Sequence, residues 1–312
     1  MFLYLTLRKV DFAATWVYLQ NANLIWVAVA LLVYSLAFVI RSFRWRVLLM
    51  PLGKFSAFRL FHYLILGFFM NDLLPLRLGE LVRAHATGQK LSISRSSVLA
   101  TVVIERIFDG LSYVSLFLIT IIFLPFPVWV RHSFMAGSCL FAGGLFILFM
   151  AARNVERARR VLDRLPLPLK WAPRIKGIFL NFLNGLQVCN RTRDLFFVFA
   201  LSLAVWIVEA SVFSVLSLAF GLDLTLFQSV LVMIIIGIGS ILPTAPGYVG
   251  TVEFLGVSSL TFLGFARDRS FAFIITLHLI QLAAVFFWGI RGMIKEKITF
   301  TELMKIEKSS TI

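Results

Sequence analysis

Apolar positions along the chain fall into long, nearly uninterrupted runs separated by short charged stretches. Residues 24–40, 96–124, 133–151, 195–220 and 271–290 are each of about the ~20-residue length needed to cross a bilayer as a helix. Residues 60–74, 226–242 and 251–265 are as apolar but shorter. No period-2 alternation recurs, so the runs predict helices rather than a barrel. The first seven residues are too short to span and are followed by Arg8, Lys9 and Asp11, which reads as the end of a truncated helix. With no small-residue cleavage site they do not form a signal peptide. Residues 12–24 are aromatic and mildly polar and suit the membrane interface.

Two of the shorter runs are broken in the same way. The first runs Asn71, Asp72, Leu73, Leu74, Pro75, Leu76, Arg77, Leu78, Gly79, Glu80, Leu81, Val82, Arg83, and the second passes through Pro243, Pro246, Gly247 and Gly250 to Glu253. Both read Leu-Pro, then Gly, then Glu. Proline removes a backbone donor and glycine loosens the helix, which frees polar backbone groups where water is scarce. Two such interruptions in corresponding places of two halves point to a transporter-like site between inverted repeats. Ordinary turns between spans are the competing reading.

Composition narrows the class. Of 312 residues, 60% are hydrophobic and 14% charged, well beyond the ~45–50% apolar usage of soluble domains. The expectation is an all-α polytopic membrane protein, one transmembrane helix bundle with two re-entrant or broken-helix motifs. A formal charge of +15 would suit nucleic acid, but the basic residues gather in a few loops, where they set orientation and contact anionic lipid. No nucleic-acid partner is expected. Two cysteines, Cys139 in an apolar run and Cys189 in a basic loop, do not make a disulfide framework.

Charge also assigns sides. Arg41, Arg44, Arg46, Lys54 and Arg59 follow the first clear span without an acid among them, and residues 152–194 hold ten Lys/Arg against three acids. Both stretches read as cytoplasmic loops, as does the exit through Arg291, Lys295 and Lys297. An apolar stripe over 175–186 suits a membrane surface. All three basic stretches fall on one side only if residues 60–90 enter the membrane and return. The result is a single domain over 1–312. Its first half-repeat covers about 24–151 with the broken motif at 71–83, its basic loop 152–194, its second half-repeat about 195–290 with the motif at 242–253, and its cytoplasmic tail 291–312. With three crossings between them, the motifs have opposite orientation.

Ionisable residues inside the apolar runs are the candidate chemistry, because each costs ~2.5–3.5 kcal/mol at a bilayer centre. Asp72, Arg77, Glu80 and Arg83, with the polar Asn71 beside them, come from the first motif, Glu105, Arg106 and Asp109 from one helix face, and Glu209 and Glu253 stand isolated. Arginines beside a helix start at Gly79 suit a phosphate. Glu80 pairing with Arg83, and Glu105 or Asp109 pairing with Arg77 or Arg83, are the structural alternatives. His278 and Gln281, one turn apart, suit helix–helix hydrogen bonding, and no metal, nucleotide or hydrolase motif occurs. Neither a metal nor a cofactor is expected.

Arg41-Ser42-Phe43-Arg44-Trp45-Arg46, the Leu-Pro-x-Arg-x-Gly-Glu core within 71–83, Glu105-Arg106-x-x-Asp109 and Pro243-x-x-Pro246-Gly247-x-x-Gly250-x-x-Glu253 together extend over most of the chain. In them the sequence resembles the lysylphosphatidylglycerol synthase transmembrane-region family, the flippase-like membrane domain also found in the multiple peptide resistance factor. The resemblance implies a protein of the cytoplasmic (inner) membrane that moves a phosphate-bearing amphipathic lipid between leaflets: a phospholipid, an aminoacylated lipid or a polyprenyl-phosphate-linked lipid. It also implies that the family's soluble aminoacyl-transferase domain and most of its first hydrophobic helix have no counterpart here, through a shortened form or a misplaced start codon. Alternatives are an integral transferase using Glu105 or Asp109 as base, and a non-catalytic partner of a lipid-modifying enzyme. A homo-oligomer is compatible with each.

Overall fold

The computed structural model describes residues 2–8, 10–74, 78–124, 172–186, 191–240 and 245–303, with isolated positions between 132 and 160. The described residues are helical and contain no strand. Most of the run at 133–151, and of the loop that follows it, lies outside them.

Four helices are long and apolar enough to cross a membrane. They are α3 (Leu24–Leu49), α6 (Arg95–Phe123), and, further along, α8 (Thr192–Ala219) and α11 (Arg267–Glu296). At 1.5 Å per residue they are roughly 39–45 Å long, enough for a ~30 Å hydrocarbon core. Polar side chains close their ends locally. Asn23 accepts from the Ile25 N–H at the start of α3, and Asp11 caps α2 (Phe12–Gln20) through Ala13 and Ala14.

The two broken motifs each join a pair of shorter helices. α4 (Ala57–Leu73) and α5 (Gly79–Leu91) flank the first, and α9 (Leu226–Gly239) and α10 (Thr251–Phe262) flank the second. These helices have 17, 13, 14 and 12 residues, so at roughly 18–26 Å each falls short of a full span. Inside the first pair the backbones touch: a Cβ on Gly79 would lie 2.0 Å from the Gly67 carbonyl oxygen, so no other residue fits. The Gly79 N–H donates to the Asn71 side-chain oxygen at 2.8 Å, which ties the start of α5 to the end of α4. In the second pair a one-turn helix (Pro246–Tyr248) precedes α10, with Gly247 at φ 64°, the left-handed region that glycine tolerates.

Around this centre α3 packs on α8, α4 on α11, and α6 on both α5 and α8. The short α1 (Phe2–Leu7) lies against α10, and α2 against α11. The amphipathic stripe at 175–186 falls on α7 (Ala172–Gly185), which docks on α6. Leu183 and Leu186 are buried there, and Ser97 Oγ donates to the Asn181 carbonyl. Ile178, by contrast, is exposed.

A correction concerns Arg41 and Arg44. The charge pattern puts them in a loop, yet α3 continues through both to Leu49 and stops only at Pro51 and Gly53. Both side chains are buried, whereas Arg46 is exposed. Their charge is compensated by acids on α6 and α8, which local sequence does not reveal.

Candidate functional site

A cavity of ≈ 440 Å³ sits at the junction of the two broken motifs. Asn71 and Asp72 from α4, Glu80 and Arg83 from α5, Arg106 and Asp109 from α6 and Glu209 from α8 all line it. Tyr248, His278 and Gln281 close it on the side of the second motif. The motifs meet there: a Cβ on Gly247 would lie 3.7 Å from the Asp72 carbonyl oxygen.

Beneath the cavity lies an ion-pair network. Glu105 is fully buried and held by three guanidinium groups, Arg44 at 2.9 Å, Arg83 at 3.0 Å and Arg106 at 3.2 Å. Arg44 also donates to Asp109 and, at 2.8 Å, to Ser202 Oγ. Trp206 Nε1 donates to Asp109 at 3.0 Å. Arg83 lies 3.6 Å from the Trp45 ring centroid, a cation–π contact that anchors α5 to α3. Burying these charges is sustained only because each has several partners.

Of the two pairings the sequence offered as structural alternatives, Glu105 with Arg83 forms and Glu80 with Arg83 does not. Glu80 reaches Arg106 at 3.4 Å, while Arg83 takes both oxygens of Glu105. Glu209 is not isolated, because Arg41 of α3 bonds it and stacks on Trp206. Glu253 is not isolated either, since His278 Nδ1 lies 2.6 Å from its Oε1. His278 thus joins α11 to α10. Arg106 differs from the other guanidinium groups in being one-third exposed at the side chain, so it presents charge to the cavity.

Arg41, Arg44, Tyr34 and Tyr113 are site residues that sequence reasoning did not assign. The signal for the arginines was present: Arg41, Arg44 and Trp45 share a helix face, and the apolar pattern resumes at Val47. Pro75, Arg77 and Pro243 lie outside the described residues. Pro246, Gly247 and Gly250 form the turn before α10, where the Gly250 N–H donates to Glu253 Oε2 at 2.6 Å.

An all-helical bundle with four membrane-length apolar helices and a cavity of buried ionisable groups defines a polytopic integral membrane protein. The sequence profile of the "Lysylphosphatidylglycerol synthase TM region" family matches residues 1–289, and the chain belongs to that family. A UPF0104 membrane protein of Methanothermobacter thermautotrophicus is 22% identical over 295 residues, which cover 88% of this chain and 85% of that protein. Another, from Methanocaldococcus jannaschii, is 25% identical over 225 residues, 71% of this chain and 91% of its own length. No solved structure matches the chain.

Proposed function

We propose that the protein moves a phosphate-bearing amphipathic lipid from one leaflet to the other, its headgroup passing through the cavity while its chains stay in the bilayer. The observation that carries this reading is a half-open cavity that gathers ionisable side chains within an apolar bundle, at the meeting point of two broken helix pairs. At ≈ 440 Å³ it has the size of small-molecule pockets, enough for a headgroup and too little for a lipid with its chains. Exposed apolar residues beside the cavity wall, Ile238 and Val249, give the chains a surface to follow.

In this reading the helix pairs α4–α5 and α9–α10 are re-entrant, inverted with respect to each other, and open the junction alternately to each side. Arg106, as the partly exposed guanidinium of the cavity, is the first contact for the phosphate. The transferase alternative needs a carboxylate free to take a proton. Glu105 is instead held by three guanidinium groups, and Asp109 takes the Arg44 guanidinium and the Trp206 indole on one oxygen and faces Arg106 at 3.4 Å with the other, so the surrounding positive charge opposes protonation of either.

Native mass spectrometry of lipid retained through purification tests the reading. The expected result is a phosphate-bearing lipid bound to the native protein, its occupancy reduced roughly tenfold or more by Arg106→Gln, as loss of a charge-assisted hydrogen bond implies. Retained lipid of arbitrary class, indifferent to Arg106→Gln, would contradict it.

A further inference from the structure

We infer that His278, clamped between Glu253 and the Gly247 carbonyl, together with Asp72 across the junction, forms a proton-binding site whose loading latches the second broken motif. The inference rests on the transport reading above for its purpose, but its geometry stands by itself.

His278 is buried and makes two bonds. Nε2 lies 2.8 Å from the Gly247 carbonyl oxygen, and Nδ1 lies 2.6 Å from Glu253 Oε1. A backbone carbonyl only accepts, so Nε2 carries a proton. The second contact also requires a proton between nitrogen and oxygen, and Glu253 Oε2 already accepts from the Gly250 N–H, as a carboxylate does. The imidazole and carboxyl together therefore hold two protons, one on Nε2 and one between Nδ1 and Glu253, and since imidazole is the more basic partner the pair is an imidazolium beside a carboxylate. When one proton leaves, the remaining N–H faces two acceptors and satisfies only one. Lone pairs then oppose each other either at Glu253 or at Gly247.

The bond at risk holds a mechanical part. Gly247 opens the left-handed stretch of the turn before α10 and packs beside the Asp72 carbonyl. Losing the His278 bond frees that turn from α11 and loosens the contact between the two motifs. Asp72 is the carboxyl across the junction: it lines the same cavity as His278 and makes no ion pair with a described residue, so the charge on either group bears on the other. The other charged or titratable groups that line this cavity are Tyr34 and Arg41 of α3, Glu80 and Arg83 of α5, Arg106, Asp109 and Tyr113 of α6, Glu209 of α8 and Tyr248 of the turn. Arg41 is engaged by Glu209, and α2 carries no charged residue. Proton loading thus closes the latch, and as pH rises through the titration of the pair the latch releases.

The test uses full-length protein in lipid nanodiscs and needs no transported lipid, so it fails or succeeds separately from the transport reading. Nitrogen-15 NMR of labelled histidine, assigned by substituting His62, His85, His132 and His278 in turn, reads the ring protons. A cysteine pair, Leu78→Cys with Val249→Cys, in a chain with Cys139 and Cys189 replaced by Ser, reads junction opening through its rate of bridging by a short reducible cross-linker. The expected result is one doubly protonated imidazole that disappears on alkalinisation, with a bridging rate that changes at least threefold over the same interval. His278→Gln, which cannot titrate, makes the rate independent of pH. Glu253→Gln makes it independent too, locked at the low-pH value, because the amide donates to an unprotonated Nδ1 while Nε2–H still holds Gly247. A singly protonated His278 throughout, or a pH-dependent rate that persists in both variants, overturns the proposal.

Discussion

Arg44 and Glu105 have no exposed side-chain surface, lie 2.9 Å apart, and are each bound to further opposite charges. Removing one such partner strands the others in a medium where charges cannot be hydrated, so Arg44→Ala or Glu105→Ala is expected to cost ~3–5 kcal/mol. Thermal unfolding in detergent measures this, and replacing Arg83 and Glu105 together by Met is expected to recover part of the loss. Arg106 behaves differently because water reaches it. Its replacement by Gln is expected to cost less stability than Arg44→Ala while reducing lipid retention most, and a melting loss equal to that of Arg44→Ala would make it one more structural pair.

At the scale of elements, the α4–α5 pair depends on close backbone approach. Gly79→Ala puts a methyl 2.0 Å from the Gly67 carbonyl oxygen and 2.7 Å from the Asn71 nitrogen, and overpacking of this kind typically costs ~1–3 kcal/mol. Asn71→Ala removes the bond to the Gly79 N–H and is expected to cost about 1 kcal/mol. A melting curve unchanged in both variants would mean that the turn is not held by these contacts. Much of this level could be read in the sequence. Apolar run lengths locate α3, α6, α8 and α11, Leu-Pro and Gly-Glu locate both interruptions, and the four-residue spacing of Glu105 and Asp109 locates the acidic face. The partners could not be read. Arg41 meets Glu209 across 168 positions, and Arg44 meets Asp109 across 65. A local window therefore sees only unpaired bases after an apolar run and ends the helix nine residues early. His278 shows the reverse case, since its helix-joining role follows from its single polar neighbour in a buried stripe.

For the whole molecule, the ion-pair network joins α3, α5, α6 and α8 on one side of the cavity, and Glu253–His278 joins α10 to α11 on the other. The cavity lies where these two groups face each other, and an opening motion would separate them there. The proposed orientation rests on the remaining bases of the loops. With Arg41 and Arg44 assigned to the bundle, Arg46, Lys54, Arg59 and the bases of 152–194 still favour one side. Cysteines at Lys54 and within 152–194 are expected to stay unlabelled by an impermeant thiol reagent added to intact cells, and to react after permeabilisation. Labelling of the 152–194 site from outside would overturn the re-entrant arrangement of α4 and α5.

The central claim is that a lipid headgroup crosses at the junction of the two motifs, and leaflet exchange in protein-containing vesicles tests it most directly. The measurement follows a fluorescent phosphate-bearing lipid, quenched from outside, with the Leu78→Cys and Val249→Cys pair free, bridged, and released by reductant. The account predicts exchange by the free pair, loss of exchange on bridging, and recovery on reduction. Exchange at the same rate in all three states, or no exchange above protein-free vesicles by the native protein, would contradict it.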